Sequence, residues 1–266
     1  MNTSIEQEVQ QPANTLTQSG EKNTAIGSAT NFSINYNHIL TPQTHDETLG
    51  KTIDELKAYR EQVKLYEELG IINCTNGLKD TELAPLRCMP SVHSSLFFMG
   101  VGGEKWVKDE QLRKSFENML RRTEFVGGEV RFLLINPASD AYSYLYQLRG
   151  ESVPYNSYDQ FVELIRKHSN LHVRLYNHMP SFRMQFVDDS YLAVSRYYFD
   201  KSSHEQWGGG WKIPHLIICN ERSEFGKSEI KYRGSLFGSF LLAYNSIWNN
   251  GTDIKKWDEE GRKFNK

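Results

Sequence analysis

Long apolar runs and cysteine are the scarcest features of this 266-residue chain. No run approaches the roughly 18 apolar residues of a membrane-spanning helix, and the N-terminus lacks the apolar core of a secretory signal. The three cysteines, Cys74, Cys88 and Cys219, are odd in number and show no paired metal spacing. We therefore expect free thiols, a cytoplasmic location, no membrane association and no metal site.

A dominant charge sign is also missing, because the formal net charge is −2 and opposite charges are interleaved. The chain thus lacks the basic footprint of strong non-specific nucleic-acid binding. The glycine-rich stretch GVGGEKW (100–106) matches neither a Walker loop nor a dinucleotide fingerprint, so no cofactor is predicted. Backbone N–H groups there, with Lys105 beside them, would suit an anion; a tight turn is the alternative.

Both ends of the chain are polar. Residues 1–48 are rich in Asn, Thr, Ser, Gln and Gly, which predicts a disordered tail, with a capping strand around Phe32–Ile39 as the alternative. Residues 49–70 have apolar residues every three to four positions and predict an amphipathic helix, which either packs on the domain or forms a homodimer. Residues 253–266 predict a polar C-terminal tail.

Residues 71–252 alternate between apolar runs and helical patterns after a turn-rich start at 71–92, where we expect loop with a short helix at most. Glycines and prolines separate the segments. An α/β domain with a mixed β-sheet flanked by helices on both faces is predicted. The expected strands are 95–101, 129–136, 172–177, 182–188, 191–198 and 215–220, and the expected helices are 109–124, 142–149, 157–168 and 236–248.

Three stretches carry a family resemblance: SLFFMGVGGEKWVKDEQLRKSFENML (95–120), GGEVRFLLINPASD (127–140) and HVRLYNHMPSFRMQFVDDSYLAVSRYY (172–198). Together they resemble one repeat of the phospholipase D superfamily. The closer resemblance is to the degenerate phospholipase D-like domains at the C-terminal end of some bacterial regulators. It covers roughly residues 70–250 and implies a phospholipase D-like α/β fold.

Active members of that superfamily carry His-x-Lys-x-x-x-x-Asp, in which the His attacks phosphorus and the Lys stabilises the phosphoryl oxygens. The resemblance places Phe182 at the His position and Met184 at the Lys position, and only Asp189 matches. It therefore implies a non-catalytic sensing or regulatory domain, whose cleft binds a phosphorylated or nucleotide-like ligand or a partner protein. At family level, it also implies a bacterial stress or phage-defence setting.

The candidate ligand-binding residues lie at the ends of the central predicted strands. Arg183 and Arg196 are on adjacent strands, where two guanidinium groups suit a phosphate or a carboxylate. The alternative is that both pair with the neighbouring aspartates as a structural network. The full candidate set is Arg183, Arg196, Asp188, Asp189, Tyr197, His215 and Lys105.

A catalytic role for some of these residues is the alternative function. An active phosphodiesterase or nuclease with a rebuilt site would use His215, His204 or Asp189. His215 leads a buried strand, where a lone histidine is more often a satisfied core residue than a base. Loop 202–211 contains His204 and two tryptophans beside glycines. We interpret it either as a lid over a ligand or as a loop that its tryptophans anchor to the domain.

Overall fold

The computed structural model describes residues 42–79, 81–107, 109–149, 156–197, 213–220 and 235–260. The alternative strand at Phe32–Ile39, the tail before residue 42, and loop 202–211 with His204 lie outside the described residues. In these ranges, no helix is long and apolar enough to cross a lipid bilayer.

Helices and strands alternate through most of the described chain. The strands are β1 (Ile71–Thr75), β2 (Ser95–Gly100), β3 (Glu129–Ile135), β4 (Leu171–Tyr176), β5 (Phe182–Val187), β6 (Tyr191–Arg196), β7 (His215–Cys219) and β8 (Thr252–Asp253). The helices are α1 (Pro42–Glu68), α2 (Pro85–Cys88), α3 (Glu104–Val107), α4 (Glu110–Phe125), α5 (Asp140–Arg149), α6 (Asn156–Lys167), α7 (Leu236–Asn250) and α8 (Ile254–Glu259).

The strands of the described residues form one eight-stranded sheet in the order β1-β7-β6-β5-β2-β3-β4-β8. β2, β3 and β4 are parallel, because α4 and then α5 and α6 return the chain to the same end of the sheet. The other neighbours are antiparallel, including the β5–β6 hairpin. The predicted mixed sheet is thus confirmed.

Helices cover both faces of this sheet, which is also as predicted. On the face we call the α4 face, Phe132 of β3 contacts Phe116 of α4 and Phe161 of α6, with ring centroids 5.4 and 4.9 Å apart. On the opposite face, the α7 face, Tyr244 of α7 stacks on Phe97 of β2 at 5.8 Å. The central strands are therefore buried on both sides, which explains their continuous apolar runs.

The first helix begins earlier than predicted. α1 starts at Pro42, a residue suited to the first helical position, instead of at residue 49. Tyr66 and Leu69 pack against the core, whereas Ile53, Leu56 and Tyr59 are exposed. The C-terminal end of the helix therefore packs on the domain, and a homodimer through the rest stays a prediction.

The prediction of a loop at the start of 71–92 is wrong. Residues 71–75 form the edge strand β1, which pairs antiparallel with β7 and carries an irregularity between Ile71 and Asn73. The segment is short and irregular, so it shows no clear period-2 pattern. Its pairing with β7 is a long-range contact that local sequence does not reveal.

The predicted polar tail over 253–266 is wrong for residues 253–259. β8 pairs with β4, and Asp253 then caps α8 by accepting a hydrogen bond from Lys255 N at 2.8 Å. Ile254 and Trp257, three residues apart, fall on one side of this short helix and are buried. Two apolar residues are enough to dock a helix that is otherwise polar.

Candidate functional site

Strand β5 presents opposite chemistry on its two faces. Phe182 contacts Phe240 of α7 at 5.7 Å between ring centroids, and buried Met184 lies on the same α7 face. Arg183 points to the α4 face, where its guanidinium lies 5.4 Å from the Phe98 ring centroid. This alternation follows from the two-residue period of a strand.

The α4 face carries a row of polar side chains on four neighbouring strands. Thr75 of β1 pairs with His215 of β7, and Ser195 of β6 pairs with Arg183 of β5. The β6–β7 register ends at Val194 and Leu216, so its next step brings Ser195 opposite His215. Directly opposed residues point to the same face of a sheet. We call Thr75, His215, Ser195 and Arg183 the polar row.

Three residues of the polar row are buried, Thr75 is half-buried, and the row contains polar atoms without hydrogen-bond partners. Arg183, Ser195 and His215 are 5%, 4% and 0% exposed. Within the described ranges, Thr75 Oγ1, Ser195 Oγ and His215 Nε2 have no hydrogen-bond partner. Most buried polar atoms in proteins are paired, because an unpaired one costs about 1–3 kcal/mol. Three such atoms on adjacent strands indicate a site that a further polar group would complete.

His215 is held as one neutral tautomer. Its Nδ1 lies 2.6 Å from the carbonyl oxygen of Ile213, which can only accept, so Nδ1 carries the hydrogen. Burial, together with the nearby Arg183 guanidinium, lowers the pKa of His215 to about 3. At neutral pH, Nε2 is therefore a bare acceptor.

Arg183 supplies the positive charge of the row. Burial lowers the pKa of Arg183, and Tyr197 opposes that shift. Tyr197 itself accepts a hydrogen bond from Val101 N at 3.2 Å. A Cβ at Gly100 would lie 2.5 Å from the Phe98 ring and 3.1 Å from Tyr197 Oη, so a glycine is needed beside the guanidinium.

Arg196 is not part of this site. It pairs with Phe182 in the β5–β6 register and is exposed, so it lies on the α7 side of the sheet. The expectation that Arg183 and Arg196 share one ligand is therefore wrong. They are on adjacent strands, but Ser195 is the residue opposite Arg183, and consecutive residues of a strand face opposite ways.

Asp188 has a structural role at the far end of β5. Its carboxylate accepts hydrogen bonds from Ser94 N and Ser95 N at 2.7 and 2.8 Å, and from His93 N at 3.1 Å. Five residues of strand separate it from Arg183, or about 16 Å at 3.3 Å per residue. Asp188 thus ties the β5–β6 turn to the start of β2 and does not pair with Arg183.

Asp189 also lies away from the polar row, and Lys105 is not a buried member of it. Asp189 is exposed in the same turn, where its carbonyl accepts from Asn220 Nδ2 at 3.1 Å. Lys105 is exposed on α3. Gly103 has a φ of +63°, and a Cβ there would lie 2.8 Å from the Phe161 ring. A tight turn therefore explains this glycine without an anion.

Thr75 and Ser195 are the site residues that sequence reasoning missed. Ser195 is a polar residue within the buried run of β6, and that polar residue after three apolar ones was the available signal. Thr75 gave none, because β1 itself was not predicted. Both enter the site only through the register of the sheet.

A groove of about 640 Å³ opens on the α4 face toward the Asp188 end of β5, and its described lining includes none of the four residues of the polar row. Ile217, two residues along β7 from His215, lines it together with Leu83 and Tyr191. Cys88 lines it too, and burial raises the pKa of this thiol to about 12. The three cysteines are free, as predicted. The described part of the chain has no cluster of three His, Cys, Asp or Glu residues suited to a metal ion.

No family model and no curated protein matches this chain, so the similarities that we report are to solved structures. TrmBL2, an archaeal chromatin protein described as showing a novel mode of DNA binding, is 12% identical with a TM-score of 0.40, over 79% of this chain and 67% of its own. Phosphatidylserine synthase from Haemophilus influenzae Rd KW20 is 14% identical with a TM-score of 0.41. The match covers 68% of this chain and only 38% of the synthase. At these scores neither similarity carries a functional argument.

Proposed function

We propose that this chain is a ligand-binding domain whose polar row holds an anionic oxygen group, of the kind that phosphate esters and nucleotides carry, without transforming it. The observation that supports this most is the row itself, with its buried guanidinium and three unpartnered polar atoms on adjacent strands. A guanidinium offers a planar fork of donors to such an oxyanion, and a serine hydroxyl adds one more.

Burial of the row favours a small ligand over a protein partner. The side chains of Arg183, Ser195 and His215 are almost inaccessible, whereas a protein interface needs an exposed patch of roughly 800 Å² on each partner.

The side chains present favour binding without cleavage. Phe182 has no nucleophilic atom and Met184 no charge, and both lie on the α7 face. A histidine whose pKa is about 3 is a weak general base at neutral pH, because catalytic pKa values lie near the working pH.

The experiment compares Arg183→Gln with Arg196→Gln, two substitutions on one hairpin that face opposite sides of the sheet. Calorimetric titration with inorganic phosphate, glycerol phosphate and AMP should give saturable binding by the unaltered protein. Arg183→Gln should weaken it at least about tenfold, the scale of one charge-assisted hydrogen bond. Arg196→Gln should change it less than about twofold.

Ser195→Ala provides a second variant in case Arg183→Gln unfolds, and circular dichroism checks each variant. Equal affinity in all four proteins, or no binding of any of the three anions, would overturn the proposal.

An active phosphodiesterase is the second candidate, and the bare Nε2 of His215 is the observation that favours it. The test is hydrolysis of bis(p-nitrophenyl) phosphate with and without divalent metal ions. We expect no turnover above buffer. Turnover that disappears in His215→Ala would replace binding by catalysis as the function of the row.

A further inference from the structure

Two residues of the polar row, Arg183 and His215, have opposite hydrogen-bonding roles. Arg183, at the β5 end, can only donate. His215 Nε2, two strands away, can only accept, because the hydrogen of the neutral ring is on Nδ1 and directed to the Ile213 carbonyl. Ser195, between them, can do either. An anion lying across the row therefore meets a donor on one side and a lone pair on the other.

A fully ionised oxyanion does not match this arrangement. All its oxygens are acceptors, so one of them would meet the Nε2 lone pair with no hydrogen between them. We infer that the row selects an oxyanion that still carries a proton, such as the monoanion of a phosphate monoester, whose P–OH donates to His215 Nε2 while its charged oxygens accept from Arg183 and Ser195. This inference rests on the proposed function and specifies its ligand.

The other sources of that hydrogen are the hydroxyls of Thr75 and Ser195, neither of which bonds Nε2 in the structure, and the imidazole itself, which the surrounding charges oppose. Of the other residues in the row, Arg183 is charged, whereas Thr75 and Ser195 do not titrate. A second positive charge beside Arg183 in a buried site is unfavourable. The proton therefore stays on the ligand.

The inference predicts that affinity for a phosphate monoester falls as the pH rises. The second pKa of a phosphate monoester is about 6, so roughly nine-tenths of it is monoanion at pH 5 and about one-hundredth at pH 8. Affinity for glycerol phosphate should therefore fall at least about tenfold between pH 5 and pH 8. Sulfate, fully ionised throughout, should bind weakly with little change.

The experiment titrates the full chain with glycerol phosphate and with sulfate at pH 5, 6, 7 and 8. His215→Gln is the test variant, because an amide offers both a donor and an acceptor and should remove the pH dependence. Arg196→Gln, on the other face, should keep the unaltered profile. Ser195→Ala should bind more weakly but keep the pH dependence, so a folding defect in His215→Gln does not leave the question open.

The outcomes separate this inference from the proposed function. Phosphate binding that needs Arg183 but is equal at pH 5 and pH 8 overturns the inference and leaves the proposed function standing. The same holds if sulfate gains as much affinity as glycerol phosphate at pH 5, because His215 would then take the proton. No binding of either anion at any pH means that only water occupies the row, and both proposals fail.

Discussion

The two faces of strand β5 show how one six-residue strand serves two purposes. On the α7 face, Phe182 and Phe186 contact aromatic residues of α7, and Met184 and Phe186 are buried in the core. On the α4 face, Arg183 and Gln185 are buried polar residues, and Gln185 donates to the Leu83 carbonyl at 2.7 Å. The α7 face of β5 is packed by apolar side chains. The α4 face instead carries polar side chains, and some polar atoms of the row have no hydrogen-bond partner within the described residues.

This difference affects the face of the sheet on which a binding or catalytic site would lie. The resemblance to the phospholipase D superfamily assigns the nucleophile and its lysine to Phe182 and Met184, both on the α7 face. The unpartnered polar atoms of the row instead belong to the α4 face. A binding role of the row therefore does not depend on the positions that the resemblance assigns to the motif, and the two faces can be altered separately.

The largest effect is expected from Met184→Lys, which places the family lysine on the α7 face. Met184 is 1% exposed, so the ammonium would be buried without a counter-charge and should lower the free energy of unfolding by about 3–5 kcal/mol. Urea unfolding measures this. Phe182→His, at a position 38% exposed, should cost less than about 1 kcal/mol. Unchanged stability in Met184→Lys would mean that this face is an open cleft.

A smaller effect is expected at the turn that joins the two strands of the hairpin. Asp188→Ala removes the acceptor for three backbone N–H groups at the start of β2 and should cost about 2–3 kcal/mol. Asp189→Ala, at the position that matches the family motif, should change stability by less than about 0.5 kcal/mol. Thermal and urea unfolding compare them. The reverse order would show that the motif aspartate is the structural one.

The smallest effect has the opposite sign and tests the α4 face. Ser195→Ala removes a buried hydroxyl without a partner, so it should raise the free energy of unfolding by up to about 1 kcal/mol while weakening anion binding. Ser235 is a matched control, since it is also buried but caps α7 by accepting from Gly238 N at 2.9 Å. Ser235→Ala should therefore lower stability by about 1 kcal/mol. A loss of stability in Ser195→Ala would indicate that its hydroxyl is already satisfied.

Local sequence patterns predicted most helices and strands but failed for elements that are stabilised by long-range contacts. The apolar runs of β2 to β7 and the helices between them follow the sequence expectations within a few residues. β1 and α8 were missed because the first is stabilised by β7, and the second by burial of Ile254 and Trp257 against the domain. Neither contact has a local signature.

The candidate site divides in the same way. Arg183 and His215 were predictable as polar residues in buried strands, and the structure brings them together. Arg196 was wrongly grouped with them, because two residues on adjacent strands can point to opposite faces of the sheet, and only the register shows which face each one occupies. Ser195 and Thr75 joined the site for the same reason.

The sequence by itself therefore determined the α/β class, the central strands and the absence of a nucleophile at Phe182, because these depend on periodicity and on the chemistry of single residues. Only the tertiary structure decided which polar residues share a face. That choice depends on the register of four strands, in which a shift of one residue moves every side chain to the other side of the sheet. It turned four separate residues, Thr75, His215, Ser195 and Arg183, into one row.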